Sequence, residues 1–261
     1  MSLEINGLEV GYRRRQVLSG ISLPSFADGE MVGLLGPNAA GKSTLLKALA
    51  GQLSYAGSAR LRGVEMSTLT YTERARRIGY APQTPPQPSS LLAFEYALSA
   101  LKAALPGLSR QEAEARIEKG FARFGLEAFA LRSVQELSGG KRQLLGLALL
   151  AARDTQLQLL DEPTSALDMR WELEALHAFR ALSRERGSIC LVALHDLNLA
   201  LRYCDQIVLL TEGRVLAAGP STATLTPDLL RRAYGVEARI ETCSQGRPIV
   251  LADAALSVPV A

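Results

Sequence analysis

Apolar positions along the chain fall into short runs punctuated by glycine, proline and charge. The runs Leu3 to Val10 and Ile21 to Leu23 predict two strands, and after the turn at Asp28-Gly29 the run Met31-Val32-Gly33-Leu34-Leu35 predicts a third. Gly36 to Thr44 then reads as a glycine-bearing loop, and Leu45, Leu46 and Leu49 continue at helical spacing on one face. Strand, glycine loop and helix in that order make a βα unit. Further short strands are expected at Arg60 to Gly63 and Arg77 to Ala81, with a helix between them opened by the capping box Thr70-x-x-Glu73.

From Thr84 the pattern changes. Pro85, Pro86 and Pro88 interrupt regular structure, and the stretch up to Arg153 reads as helical, rich in Ala and Leu. Within it Ser109-x-x-Glu112 is a second capping box, and Ala113, Ile117, Phe121 and Phe124 share one helix face before Gly125. An inserted helical subdomain over about 84–153 is the prediction. Strand character returns at Leu157 to Leu160, Ile189 to Leu194 and Gln206 to Leu210, alternating with helices at Arg170 to Arg186 and Leu197 to Tyr203. That alternation predicts an α/β fold with a mainly parallel sheet covered on both faces. Thr211-Glu212-Gly213 turns a hairpin into Arg214 to Ala218, and no internal repeat is visible. The longest apolar run, Leu144 to Ala152, stops well short of the roughly 20 residues of a membrane-spanning helix.

Composition changes this picture little. With 261 residues, 48% hydrophobic and 21% charged, the chain has a globular make-up and the length of one large domain or two intimate ones. The excess of 29 basic over 26 acidic residues gives a net charge of +3, too small to draw nucleic acid through the whole-chain field. The clusters Arg13-Arg14-Arg15 and Arg74, Arg76, Arg77 have no interleaved aromatic platform and read as solvated surface, so no nucleic-acid partner is expected. The N-terminus shows no basic n-region before an apolar stretch, so a cytoplasmic location is expected. Three cysteines, an odd number without C-x-x-C spacing, read as reduced bystanders.

The chemistry concentrates in three places. Gly36-Pro37-Asn38-Ala39-Ala40-Gly41-Lys42-Ser43-Thr44 fits G-x-x-x-x-G-K-[ST] between a strand and a helix. Its amides and helix end suit the β- and γ-phosphates of a nucleotide, with Lys42 neutralising them and the Ser43 hydroxyl holding Mg²⁺. Leu157 to Glu162 is an apolar strand ending in two acids, which sets Asp161 and Glu162 at the carboxyl edge of the sheet, where ligands of such folds bind. Asp161 suits the Mg²⁺ shell and Glu162 the polarisation of an attacking water. Finally, Ser138-Gly139-Gly140-Lys141 opens a helix and reads either as a second anion site or as an ordinary Ser cap.

The glycine loop, the LSGG stretch at Leu137 to Gly140 and the LLDEP stretch at Leu159 to Pro163, in that order, resemble the ATPase subunit of an ABC transporter. The resemblance implies a P-loop NTPase of the ABC type over 1–236. A RecA-like core with an antiparallel β subdomain would occupy 1–83 and 154–236, the helical subdomain 84–153, and a tail 237–261. It implies two such subunits meeting head to tail in a homodimer, so that Ser138, Gly139, Gly140, Lys141 and Asp168 of one close on the ATP held by the other. It further implies that Tyr12 stacks on adenine, that Gln83 links Mg²⁺ and water to the helical subdomain, and that His195 senses the γ-phosphate. His177, mid-helix, has no such context.

Four positions depart from the family pattern. Ala39 stands where Gly is usual, and Lys141, whose ammonium would lie near the partner's ATP, where Gln is usual. Leu144 replaces a common Arg, and Gln158 puts an amide in a buried strand, where it must find a hydrogen-bond partner. The resemblance also implies a peripheral ATPase on the inner, cytoplasmic membrane. Its polytopic permease subunits would contact the Gln83 region and the helical subdomain, with a separate substrate-binding protein outside. The stretch from Gly219-Pro220 through Leu225 to Val236 is similar to the end of ATPases serving iron-siderophore, haem and cobalamin importers. An ABC ATPase of another transporter class, or a soluble mechanical ATPase of the same type, is the alternative. A GTPase reading fails because no N-K-x-D motif occurs.

Overall fold

In the computed structural model, which describes residues 2–12 and 15–256, the first apolar runs form β1 (Ser2–Tyr12) and β2 (Arg15–Ala27), followed by β3 (Met31–Leu35), α1 (Lys42–Leu49), β4 (Ala56–Leu61) and β5 (Val64–Glu65). β2 is far longer than its three-residue apolar signal, because it is a half-exposed antiparallel strand whose outward positions are polar. The strand expected at Arg60 to Gly63 instead ends at Leu61, where Arg62 and Gly63 turn with φ of 53° and 79°. These strands form an antiparallel sheet in the order β2-β1-β4-β5.

Next come α2 (Tyr71–Arg77), β6 (Ile78–Ala81), α3 (Ala93–Ala104), α4 (Arg110–Arg123), α5 (Gly139–Ala152), β7 (Leu157–Asp161) and α6 (Met169–Arg186). Both capping boxes are in place, Thr70 accepting from the Glu73 amide and Ser109 from that of Glu112. The chain continues with β8 (Ile189–Ala193), α7 (Leu197–Tyr203), β9 (Gln206–Thr211), β10 (Arg214–Pro220), α8 (Ser221–Thr224) and α9 (Pro227–Tyr234). A six-stranded sheet in the order β10-β9-β3-β8-β7-β6 organises them, parallel throughout except at β10.

Strands β3, β7 and β8 are buried at every position, as a sheet covered on both faces requires. Alternate residues feed two cores. Val32, Leu34, Leu157, Leu159, Ile189 and Leu191 pack with α1 and the antiparallel sheet. Met31, Leu35, Leu160, Cys190 and Val192 pack with the helices of the opposite face, where Ala113, Ile117, Phe121 and Phe124 of the amphipathic pattern are also buried.

Two features depart from the sequence reading. The tail assigned to 237–261 carries strands that the sequence reading does not predict: β11 (Val236–Thr242) and β12 (Pro248–Ala255) form a hairpin, clamped to α7 by Asn198, whose Nδ2 donates to Val250 O (3.2 Å) and whose Oδ1 accepts from Val250 N (2.8 Å). The partner expected for the Gln158 amide is missing. Its side chain is wholly buried on the face shared with Leu160 and Cys190, and neither its nitrogen nor its oxygen meets a polar atom of the protein. Such a group costs about 1–3 kcal/mol.

Candidate active site

The glycine loop leaves the carboxyl end of β3 and enters α1 at Gly41, which caps the helix with φ of 104°. Gly36 has φ of 143°, and a Cβ there would lie 2.1 Å from Leu210 O, so only glycine fits between β3 and β9. Ala39 also sits in the left-handed region, with φ of 63°, exposed at the loop tip beside Asn38. Pro37 O accepts from the Ala40 amide (3.2 Å), which tightens the loop. Lys42 and Thr44 are buried in the first turn of α1. The Lys42 Nζ donates to Gly36 O (2.6 Å) and Pro37 O (3.2 Å), filling the loop's concavity. Burial holds this ammonium below its ordinary value, against the pull of the Glu162 and Asp161 carboxylates.

The carboxyl ends of β7 and β8 bring the acids to the same place. Ser43 Oγ donates to Asp161 Oδ1 (2.8 Å), and the Tyr80 hydroxyl to Asp161 Oδ2 (3.1 Å). Glu162 follows in the left-handed region, φ 49°, with Ser165 Oγ donating to its carbonyl (3.1 Å). That turn aims its carboxylate away from the strand, where Gln83 Nε2 donates to Oε2 (2.6 Å) and His195 Nε2 lies 2.6 Å from Oε1. His195 lies two residues past the end of β8, ahead of Asp196, which caps α7. Gln83, Glu162 and His195, far apart in the chain, therefore form one cluster beside the Ser43–Asp161 pair. Hydroxyl, carboxylate and amide oxygens around a buried acid are the donor set a hard divalent cation takes, and Ser43, Asp161 and Gln83 fit Mg²⁺ on that ground.

Other expected residues stand apart. Ser138 caps α5, accepting from the Lys141 amide (3.3 Å), and Gly139 and Gly140 form the first turn. Among the described residues, no hydrogen bond or ion pair joins this helix end to the Gly36–Thr44 loop. Gly140 instead lies against the loop leading to α6, where a Cβ would be 3.0 Å from Ala166 O, and Asp168 Oδ1 caps α6 by accepting from the Trp171 amide (3.1 Å). The Lys141 ammonium lies 4.6 Å from the Phe129 ring centroid and 4.3 Å from that of Trp171. In this chain it is engaged by two aromatic faces instead of projecting freely. The side chain of Tyr12 and residues Arg13 and Arg14 lie outside the described residues. His177 is exposed on α6. Arg74 is less solvated than expected, its guanidinium donating to Met66 O (2.9 Å).

Two residues of the site escaped sequence reasoning. Tyr80 carries no motif; only the pairing of β6 with β7 brings it to Asp161. Gln143, buried in α5, donates through Nε2 to Pro163 O (3.2 Å) and ties the Ser138 helix to the loop after Glu162.

The chain is 37% identical to the haemin import ATP-binding protein of Bordetella pertussis over 97% of its own length and 100% of that protein. It is 35% identical to a cobalamin import ATP-binding protein of Halobacterium salinarum over 93% of its length, but spans only 61% of that relative. A solved ATP-binding subunit of an ABC transporter, 31% identical, superposes with a TM-score of 0.75 over 91% of this chain and 95% of the other. The sequence profile of the ABC transporter family matches residues 18–165, more than half of the chain, and with kinship of this extent on either side of that stretch the protein belongs to the ABC transporter family.

Proposed function

We propose that this chain is the ATP-hydrolysing subunit of an importer, working as a head-to-tail homodimer. The observation that carries the reading is the Glu162 cluster: a carboxylate held by Gln83 and His195 beside a Ser43–Asp161 pair at the mouth of the Lys42 loop. In this reading Lys42 exchanges the carbonyls of Gly36 and Pro37 for the β- and γ-phosphates, and the amides of Gly36 to Thr44 hold the phosphate oxygens. Mg²⁺, held by Ser43, Asp161 and Gln83, would supply charge neutralisation on the phosphates. Glu162 orients the water and takes its proton, and His195 holds the geometry of that carboxylate against the γ-phosphate. Gln83 and His195 each engage one Glu162 oxygen, and the remaining lone pairs of the carboxylate are available to a water. Ser138 and Gly139 at the start of α5, and Asp168, are exposed, which supports their use by a second copy.

Transport requires a membrane partner. No described helix is long and apolar enough to cross a membrane. A groove of about 450 Å³, lined by Pro82, Pro86, Tyr96, Leu101, Gly146 and Leu150 among others, lies beside Gln83 between α3 and α5. Its apolar walls suit a helix of a permease, which would make the chain peripheral to the inner face of the cytoplasmic membrane. The cargo class is a metal chelate of the haem, cobalamin or iron-siderophore kind, delivered by a separate binding protein. The haemin and cobalamin relatives and the Thr226-capped helix α9 with its following Gly235 support that reading.

The test is purification of tagged Glu162→Gln from its own cells in mild detergent with ATP. Replacing a general base is expected to cut hydrolysis by about 10²- to 10⁴-fold while nucleotide binding persists. A polytopic membrane protein should co-purify. Normal hydrolysis by the variant would overturn the role of Glu162, and recovery of soluble or nucleic-acid partners alone would overturn the transport reading.

A further inference from the structure

The buried carboxylate of Asp161 is held at both oxygens, and each hold comes from a different element. Oδ1 faces Ser43 at the start of α1 (2.8 Å), while Oδ2 faces the Tyr80 hydroxyl from the edge strand β6 (3.1 Å). The register explains the second contact. β6 runs parallel to β7 with Tyr80 opposite Leu159, so Asp161, two residues on, presents its side chain to the same face one step along the strand. A Tyr side chain is long enough to span that diagonal. The torsion that rotates an Asp carboxylate is soft and nearly two-fold, so a single hydrogen bond leaves its plane free to swing. Two bonds on different oxygens, with the group only 2% exposed, fix it.

We propose that Tyr80 is a positioning residue for the divalent cation: its hydroxyl sets the plane of the Asp161 carboxylate so that Oδ1 stays aimed at Ser43. The proposal rests on the reading of Ser43 and Asp161 as cation-holding residues and adds a group to which neither motif nor composition points. Outer partners of this kind orient the ligands that touch a metal, and losing one typically weakens metal binding by about 10- to 100-fold. A neutral hydroxyl at 3.1 Å belongs at the low end of that range. Tyr80 is also among the residues that line the groove between α3 and α5.

The experiment compares wild type with Tyr80→Phe, which keeps the ring and removes one oxygen. Mn²⁺ binding is followed by electron paramagnetic resonance at saturating non-hydrolysable ATP analogue, and binding of the analogue is titrated separately in EDTA. The expected result is a half-saturating Mn²⁺ concentration raised about 10-fold in Tyr80→Phe with metal-free analogue affinity within twofold of wild type, and a thermal midpoint lowered by a few degrees because the buried Asp161 Oδ2 loses the hydroxyl. A Mn²⁺ half-point within twofold of wild type overturns the proposal. So does an equal loss of metal-free analogue binding, which would make Tyr80 a packing residue only. A wild-type protein that binds neither the analogue nor Mn²⁺ would overturn the ATPase reading itself, an outcome the variant cannot produce.

Discussion

Ala39→Gly isolates the backbone cost of a side chain in the phosphate loop. Ala39 has φ of 63°, and its exposed Cβ has little to lose in packing. An L-residue held in the left-handed region costs about 1–2 kcal/mol, which glycine avoids. Against this, glycine brings extra freedom to the unfolded chain, worth about 0.5–1 kcal/mol. The difference predicts that Ala39→Gly stabilises the protein by about 0–1.5 kcal/mol. For a chain of this size that is a rise in Tm of up to about 5 °C. ATP affinity should stay unchanged or tighten, by no more than about fivefold if about 1 kcal/mol of strain is relieved on binding. Differential scanning calorimetry and nucleotide titration on matched samples decide it. Ala39→Val is the opposite control, because a β-branched residue at this φ is strongly disfavoured and Tm should fall. A fall in Tm of more than about 2 °C in Ala39→Gly, or clearly weaker ATP binding, would refute the argument, since the Cβ would then be contributing contacts and not strain.

Two further outcomes follow from the titrating groups. Burial lowers the Lys42 pKa below its ordinary value in the free protein, and polyphosphate beside it favours the ammonium, so nucleotide binding should take up protons in the window just below 10.5. The same depressed value means that the unfolded chain binds more protons there, so the Lys42 contribution to stability rises with pH towards 10.5 and is lost as pH falls through the folded value. Calorimetry in buffers of different ionisation enthalpy should show the uptake, and Lys42→Met should abolish it; no uptake in wild type would mean the ammonium is already fully charged. Among the three thiols, Cys190 and Cys204 are buried and pushed up by burial, whereas Cys243 is partly exposed and lowered by hydrogen bonds with the backbone of Gln245 and Arg247. A chromogenic disulfide reagent should therefore titrate one thiol in the native protein and three after denaturation, and Cys243→Ser should remove the fast one.

Local patterns account for much of the architecture. The capping boxes at Thr70 and Ser109, the Thr226 cap with Pro227 after it, and the apolar stripe from Ala113 to Phe124 are decided by neighbours within a few residues, and the structure carries all of them. The outer parts of β2 and the hairpin of β11 and β12 were harder to see, because β2 mixes small and polar residues with its apolar ones, β11 alternates charge with weakly apolar residues, and β12 ends in alanines around Asp253, so all three take their stability from pairing. Gln158 shows the limit from the other side: a rule about buried amides predicts a partner, and only the packing of that sheet face reveals that none is offered.

The same division runs through the site. By itself the chain determined the glycine loop, the acids ending an apolar strand and the capped Ser138 helix, since each is a contiguous motif whose chemistry depends on residue type and spacing. The meeting of Gln83, Glu162 and His195, the hold of Tyr80 on Asp161 and the seating of Lys141 between Phe129 and Trp171 were decided by tertiary structure alone. The first two of those contacts depend on strand order, and β6, β7 and β8 lie side by side although helices interrupt the sequence between them. Parallel strands joined by crossovers bring their carboxyl ends to one edge, and which residues meet there is a property of sheet order that no local window contains.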